Sequence, residues 1–139
     1  MNMVDLRNLL YSFIFFSSVI SAGSQFNQDI ILDVDEAFST SSFVANNKIY
    51  VSWNIAPGYY LYKKSIFLKV NNVILEHTFD VSEEVLLLDD FFGESLVLKN
   101  ILQMESVSTA YNLNDAIIEI GYQGCAEGKY CYPKKLKKL

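Results

Sequence analysis

A strict alternation of side chains from Lys48 to Ile55 constrains this chain most: Ile49, Val51, Trp53 and Ile55 face one way, Tyr50, Ser52 and Asn54 the other. Period two marks a half-buried strand. The signal returns at Tyr59–Tyr62 and at Ser65–Val70, with Ile66, Leu68 and Val70 on one face. It returns again at Val73–Phe79, entered through a hairpin turn at Asn71-Asn72. Further strands are predicted over Glu84–Leu88, Ser95–Leu98, Ile101–Val107 and Ala116–Gln123. Pro57-Gly58 and the run Asp89-Asp90-Phe91-Phe92-Gly93 read as turn and loop. No helical period is sustained, and Asp33–Phe38 reads as a single helical turn or an edge segment. Short strands at this spacing predict an all-β fold, a sandwich. Trp53, on an apolar strand face, reads as core rather than as a ligand platform.

The 139 residues fit one domain preceded by a leader. Arg7 supplies a basic start, Leu9–Ile20 an apolar stretch, and Ser21-Ala22-Gly23 the small residues of a cleavage site. Residues 1–23 are therefore expected to be a signal peptide. The apolar stretch is shorter than the roughly 20 residues of a membrane span, with an uncleaved anchor as the alternative. Residues 24–133 are expected to form the domain, and 134–139, with four lysines, a basic tail. That tail reads as solvated, or as a stub that meets anionic lipid. A net charge of -5 argues against nucleic acid as a partner. One histidine, His77, and few methionines give no expected metal site and no expected cofactor. His77 reads as a surface residue.

The two cysteines, Cys125 and Cys131, carry whatever chemistry the chain has. Cys125 is expected at the end of the Ala116–Gln123 strand. Ala126–Lys129 then forms a turn, and Tyr130–Tyr132 returns beside it. Outside the cytosol such a pair can remain oxidised. The bridge would close only residues 125 to 131, for which chain entropy gives about 2.4 kcal/mol, less than a longer loop provides. Strand pairing already constrains these residues. Spacing alone leaves a working dithiol and a structural bridge both open. No helix N-terminus is expected nearby to lower a thiol pKa, and nearby carboxylates would raise it.

The order of several motifs resembles the periplasmic N-terminal (alpha) domain of the DsbD family of thiol:disulfide interchange proteins. The motifs are Ser24-Gln-Phe26, Asp35-Glu-Ala-Phe38, Trp53, Gly58-Tyr-Tyr-Leu-Tyr-Lys63 and Asp89-Asp-Phe-Phe-Gly-Glu-Ser95. Tyr122-Gln-Gly-Cys-Ala126 and Cys131-Tyr-Pro133 complete the set. The resemblance implies an immunoglobulin-like β-sandwich with the cysteine pair at a sheet edge. It implies that Cys131 forms mixed disulfides with partners and that Cys125 resolves them. Phe91 is then a cap over the sulfurs, Asp89 and Asp90 are acids beside them, and Tyr60 and Tyr62 line the site. Lys134 stands where the family usually has a second proline.

By the same resemblance, a thioredoxin-like domain, fed by a membrane-bound reductase, supplies the reducing equivalents. The acceptors are a periplasmic disulfide isomerase and the thioredoxin-like protein of cytochrome c maturation. The implied location is the periplasm of a Gram-negative bacterium. With the sequence ending at Leu139, either a free-standing domain served by a separate reductase or a truncated frame is expected. Two rivals are an exported binding module with a structural disulfide and a decayed, non-functional fragment.

Overall fold

The computed structural model describes residues 30–90 and 92–139, without the side chain of Asp89. The expected signal peptide, the Ser24-Gln-Phe26 motif and Phe91 lie outside the described residues. The described chain is mostly strand. A one-turn helix, α1 (Val34–Ala37), opens it and is closed at its start by a capping box between Asp33 and Glu36. Eleven strands follow: β1 (Phe38–Ala45), β2 (Lys48–Ile55), β3 (Tyr59–Tyr62), β4 (Phe67–Val70), β5 (Val73–Leu75), β6 (Thr78–Asp89), β7 (Gly93–Val107), β8 (Ile118–Tyr122), β9 (Gly124–Ala126), β10 (Tyr130–Cys131) and β11 (Lys135–Lys138).

They form two antiparallel sheets, one of seven strands and one of four. In the larger sheet β6 runs along one side of β7, and β2 and β3 share the other side end to end. β1 pairs with β2, and β9 followed by β10 continues outward from β3. The smaller sheet has the order β11-β8-β4-β5. The core between the sheets joins Val51, Trp53, Leu98, Leu102 and Met104 of the first to Leu68, Val70, Ile118, Ile120 and Tyr122 of the second. Trp53 is fully buried, as its strand pattern predicts. Burial pushes the Tyr122 phenol up to about 12. Both hairpin asparagine pairs, Asn46-Asn47 and Asn71-Asn72, have positive φ, which suits two-residue turns between right-twisted strands.

The structure adds a strand that the sequence did not predict and corrects several expectations. Phe38–Ala45, which shows no clear period, pairs with β2 along its whole length. Residues 134–139 are not a solvated tail: Lys135–Lys138 pair with β8, Lys135 bonds Asp35 at 3.0 Å, and Lys137 bonds Thr40. Ser95–Leu98 and Ile101–Val107 are one strand, crossed by a register shift opposite Val81–Glu83, with Asn100 in the left-handed region. Ser82 Oγ stitches that irregularity, accepting from the Ile101 N–H at 2.9 Å. Val73–Phe79 breaks after Leu75, where the chain leaves the small sheet for the large one. His77 lies in that break, half-buried, its Nδ1 3.2 Å from the Leu75 carbonyl and its ring against Phe79.

Candidate functional site: an edge cystine on the outer face of the large sheet

Cys125 does not end the Ala116–Gln123 strand. β8 belongs to the small sheet and β9 to the large one, and the chain crosses between them at Gln123. Gln123 is held on every side. Its N–H donates to Ser65 Oγ at 2.9 Å, its carbonyl accepts from the Tyr62 N–H at 2.9 Å, and its side-chain amide donates to the Tyr132 carbonyl at 3.0 Å. Ser65 sits where β3 crosses to β4, so one serine–glutamine pair ties both crossings together. Gly124 follows because β9 must lie directly on β3. A Cβ there would stand 2.3 Å from the Tyr60 carbonyl oxygen. These contacts give the Tyr-Gln-Gly-Cys run its physical reason: core residue, crossing, close approach, sulfur.

Register then assembles the site. Cys131 pairs with Cys125, and Cys125 with Tyr60, so the three form one row across β10, β9 and β3. Tyr62, Val97 and Val85 form the next row across β3, β7 and β6. Because side chains alternate, Tyr59 and Leu61 enter the core while Tyr60 and Tyr62 stand on the opposite face with the cysteines. Tyr60, Tyr62, Val97 and Cys125 form a second buried cluster there, covered by Val85, Leu87 and Cys131.

Cys125 and Cys131 are joined as a disulfide, their Cα atoms 4.0 Å apart. The turn between them is closed by the Lys129 N–H on the Ala126 carbonyl at 3.0 Å, with Gly128 at φ 69°. An ion pair of 3.0 Å from Lys99 to Glu127 ties that turn to β7. The two sulfurs differ in access: Cys125 is 1% exposed and Cys131 is half-buried. The Tyr62 hydroxyl lies 3.2 Å from Cys125 Sγ and 3.8 Å from Cys131 Sγ, and 3.4 Å from the Tyr60 hydroxyl. A disulfide sulfur has no proton, so the phenol is the donor. A cleft of about 410 Å³ opens beside Cys131, walled by Tyr60, Leu87 and Leu88 on the apolar side and by Asp90, Glu127 and Lys129 on the charged side.

Of the residues expected at the site, the structure brings together Cys125, Cys131, Tyr60, Tyr62 and Asp90. Asp89 is placed only by its backbone, opposite Gly93. The sequence places Phe92 only within the Asp89–Gly93 loop. Its ring meets Tyr62 edge-on at 4.8 Å, with Lys64 Nζ 5.3 Å from its centre. No local pattern announces that contact, because it joins the β6–β7 turn to β3. Gln123 and Ser65 were likewise missed, since polar residues at a sheet crossing give no periodic signal.

The geometry makes a prediction about Tyr62. When a thiolate attacks Cys131, the sulfur of Cys125 leaves as an anion beside the Tyr62 hydroxyl. A hydrogen bond to a charged group contributes about 1.5–3 kcal/mol. Tyr62→Phe keeps the ring and removes the donor. Reduction of the disulfide by a small dithiol should slow about ten-fold or more, with the fold unchanged by circular dichroism. An equal rate in stopped-flow measurements would remove Tyr62 from the leaving-group role.

Fold and site together define an immunoglobulin-like sandwich that carries a cystine on its sheet edge. Residues 28–139 match the family described as the N-terminal domain of thiol:disulfide interchange protein DsbD, and the chain belongs to that family. It is 39% identical over 118 residues to a DsbD of Colwellia psychrerythraea, covering 81% of this chain and 18% of the relative. To a DsbD of Haemophilus ducreyi it is 36% identical over 126 residues, covering 90% and 21%. The chain thus spans about a fifth of the length of these relatives. Among solved structures, the reduced DsbD N-terminal domain of Neisseria meningitidis matches with a TM-score of 0.69 at 30% identity, covering 78% of this chain and 87% of that one. The same Neisseria domain in complex with the PilB N-terminal domain matches at 0.64 and 30% identity, covering 78% and 85%.

Proposed function

We propose that this domain relays reducing equivalents by thiol–disulfide exchange, from a thioredoxin-like donor to disulfide-bonded proteins of the periplasm, through the Cys125/Cys131 couple. The observation that carries the reading is the pairing of a reachable sulfur, Cys131, with a buried one, Cys125, under a phenol donor at 3.2 Å. In the reduced domain the Cys131 thiolate attacks one sulfur of the acceptor disulfide. A Cys131–acceptor bond forms and the acceptor's other sulfur leaves as a thiolate. The Cys125 thiolate then attacks Cys131 Sγ, closes the intramolecular bridge and releases the second acceptor thiolate. The acceptor gains two electrons and, on protonation, two protons. A donor dithiol reverses the sequence and resets the pair.

The acceptors proposed are a periplasmic disulfide isomerase and the thioredoxin-like protein of cytochrome c maturation. The donor is fed in turn by a membrane-bound reductase. Asp89, Asp90 and Phe91 are assigned from the family pattern as the acids and cap that keep the resting pair slow. The Neisseria domain seen with a PilB domain supports partners that dock through a protein interface.

Equilibration against glutathione buffers tests the reading. A potential between roughly -180 and -270 mV is expected, the range of catalytic dithiols. A value below about -300 mV would mark a structural bridge and move the domain to the binding-module class.

A further inference from the structure

The two sheets of the sandwich carry opposite charge. Strands β6 and β7 hold Asp80, Glu83, Glu84, Asp89, Glu94 and Glu105, with Lys99 as the cation among them. The small sheet reverses this, with Lys69, Lys135, Lys137 and Lys138 in its strands, Lys134 at the entrance to β11, and Glu119 as the acid among them. Lys135 and Lys137 turn toward Asp35 and Thr40. Lys134 and Lys138 are exposed.

Register lays out the outer face of this sheet in two rows, Leu136–Gly121–Phe67 and Lys138–Glu119–Lys69–Ile74. Gly121 has no side chain, so the Phe67 ring occupies its place. A Cβ there would stand 2.1 Å from Phe67 Cζ. The ammonium groups of Lys69 and Lys134 each lie 5.1 Å from the centre of that ring. At the two ends of the rows Leu136 is 58% and Ile74 62% exposed. In a chain of net charge -5, lysines and bare aliphatic tips are therefore gathered on one face.

We infer that this face of the small sheet docks on an anionic phospholipid bilayer. Lysines interleaved with apolar tips across a pleated sheet suit dispersed negative headgroups over an apolar phase. Each lysine near such a surface strengthens binding about five-fold. The cystine is on the opposite face of the sandwich, so a docked domain presents Cys131 away from the lipid and toward soluble partners.

Co-sedimentation of the exported, folded protein with vesicles tests this. Phosphatidylethanolamine–phosphatidylglycerol vesicles should bind it, pure phosphatidylcholine vesicles should not, and added salt should release it. The double variant Lys134→Glu/Lys138→Glu should lose about twenty-five-fold or more in affinity. Leu136→Ser should lose less, and both should keep wild-type disulfide exchange, which shows that they are folded. Absence of binding to phosphatidylglycerol vesicles, as expected if the face meets an acidic protein, would overturn the inference. Equal binding to both vesicle types, or full binding by the double variant, would overturn it too.

Discussion

Cys131→Ser is expected to abolish reduction of protein disulfides and to form no covalent adduct with an acceptor. Cys125→Ser should still attack and then stall as a mixed disulfide. The asymmetry follows from access. Exchange requires a thiolate to approach a disulfide in line with its bond. Cys131 is half-buried on an edge strand beside an open cleft, whereas Cys125 is 1% exposed beneath Tyr62. A serine at 131 leaves the surface without a nucleophile, and turnover falls to the uncatalysed background. A serine at 125 removes only the second step, so an adduct of domain plus acceptor accumulates and is read by non-reducing electrophoresis and intact mass. An adduct from the Cys131→Ser protein would reverse the assignment of attacking and resolving sulfur.

Gly124→Ala should be the most damaging small change outside the cysteines. The added carbon would meet the Tyr60 carbonyl at 2.3 Å, Phe38 Cζ at 2.6 Å and Leu61 Cδ2 at 2.9 Å. The first of these is backbone in the neighbouring strand and cannot turn aside. Relief requires β9 to move off β3, which misplaces Cys125 relative to Tyr62. Overpacking of this kind costs about 1–3 kcal/mol, a fall in Tm of about 5–20 °C, accompanied by a changed exchange rate. Gly121→Ala is the control. The three atoms nearest its new carbon all belong to the Phe67 ring, a half-buried group that can swing outward. Equal melting temperatures for the two variants would show that the β9–β3 approach does not set the limit.

The strands legible in the sequence were those with one buried face. β2 carries a clean alternation because it lies mid-sheet over the core, and its predicted limits coincide with the observed ones. β1 is illegible because Ser39, Ser41 and Ser42 leave it no apolar stripe, and its pairing with β2 supplies the order instead. Lys135–Lys138 reads as a tail because the groups that hold it, Asp35 on Lys135 and Thr40 on Lys137, lie about a hundred residues away in sequence. The site divides in the same way. Alternation alone places Tyr60 and Tyr62 on one face. Only non-local register puts that face against the cysteines, and here the family pattern supplied what local chemistry could not. Phe92 and Gln123 act through contacts between crossings, which leave no trace in neighbouring residues.

The clamp on the residues around Cys131 has a kinetic meaning. Before it, the Gly128 turn is closed on Ala126 and held by the Lys99–Glu127 pair. After it, the Tyr132 N–H donates to the Gly124 carbonyl at 3.0 Å, its hydroxyl donates to the Leu32 carbonyl, and its ring packs edge-on against Phe38. Cys131, the sulfur that would change partners in the proposed exchange, therefore rides on a short span fixed at both ends. On the proposed function, such a carrier would need little reorganisation between its oxidised and reduced forms. Its throughput would then be governed by how often partners meet it, with the sandwich as a stiff handle for one exchangeable bond.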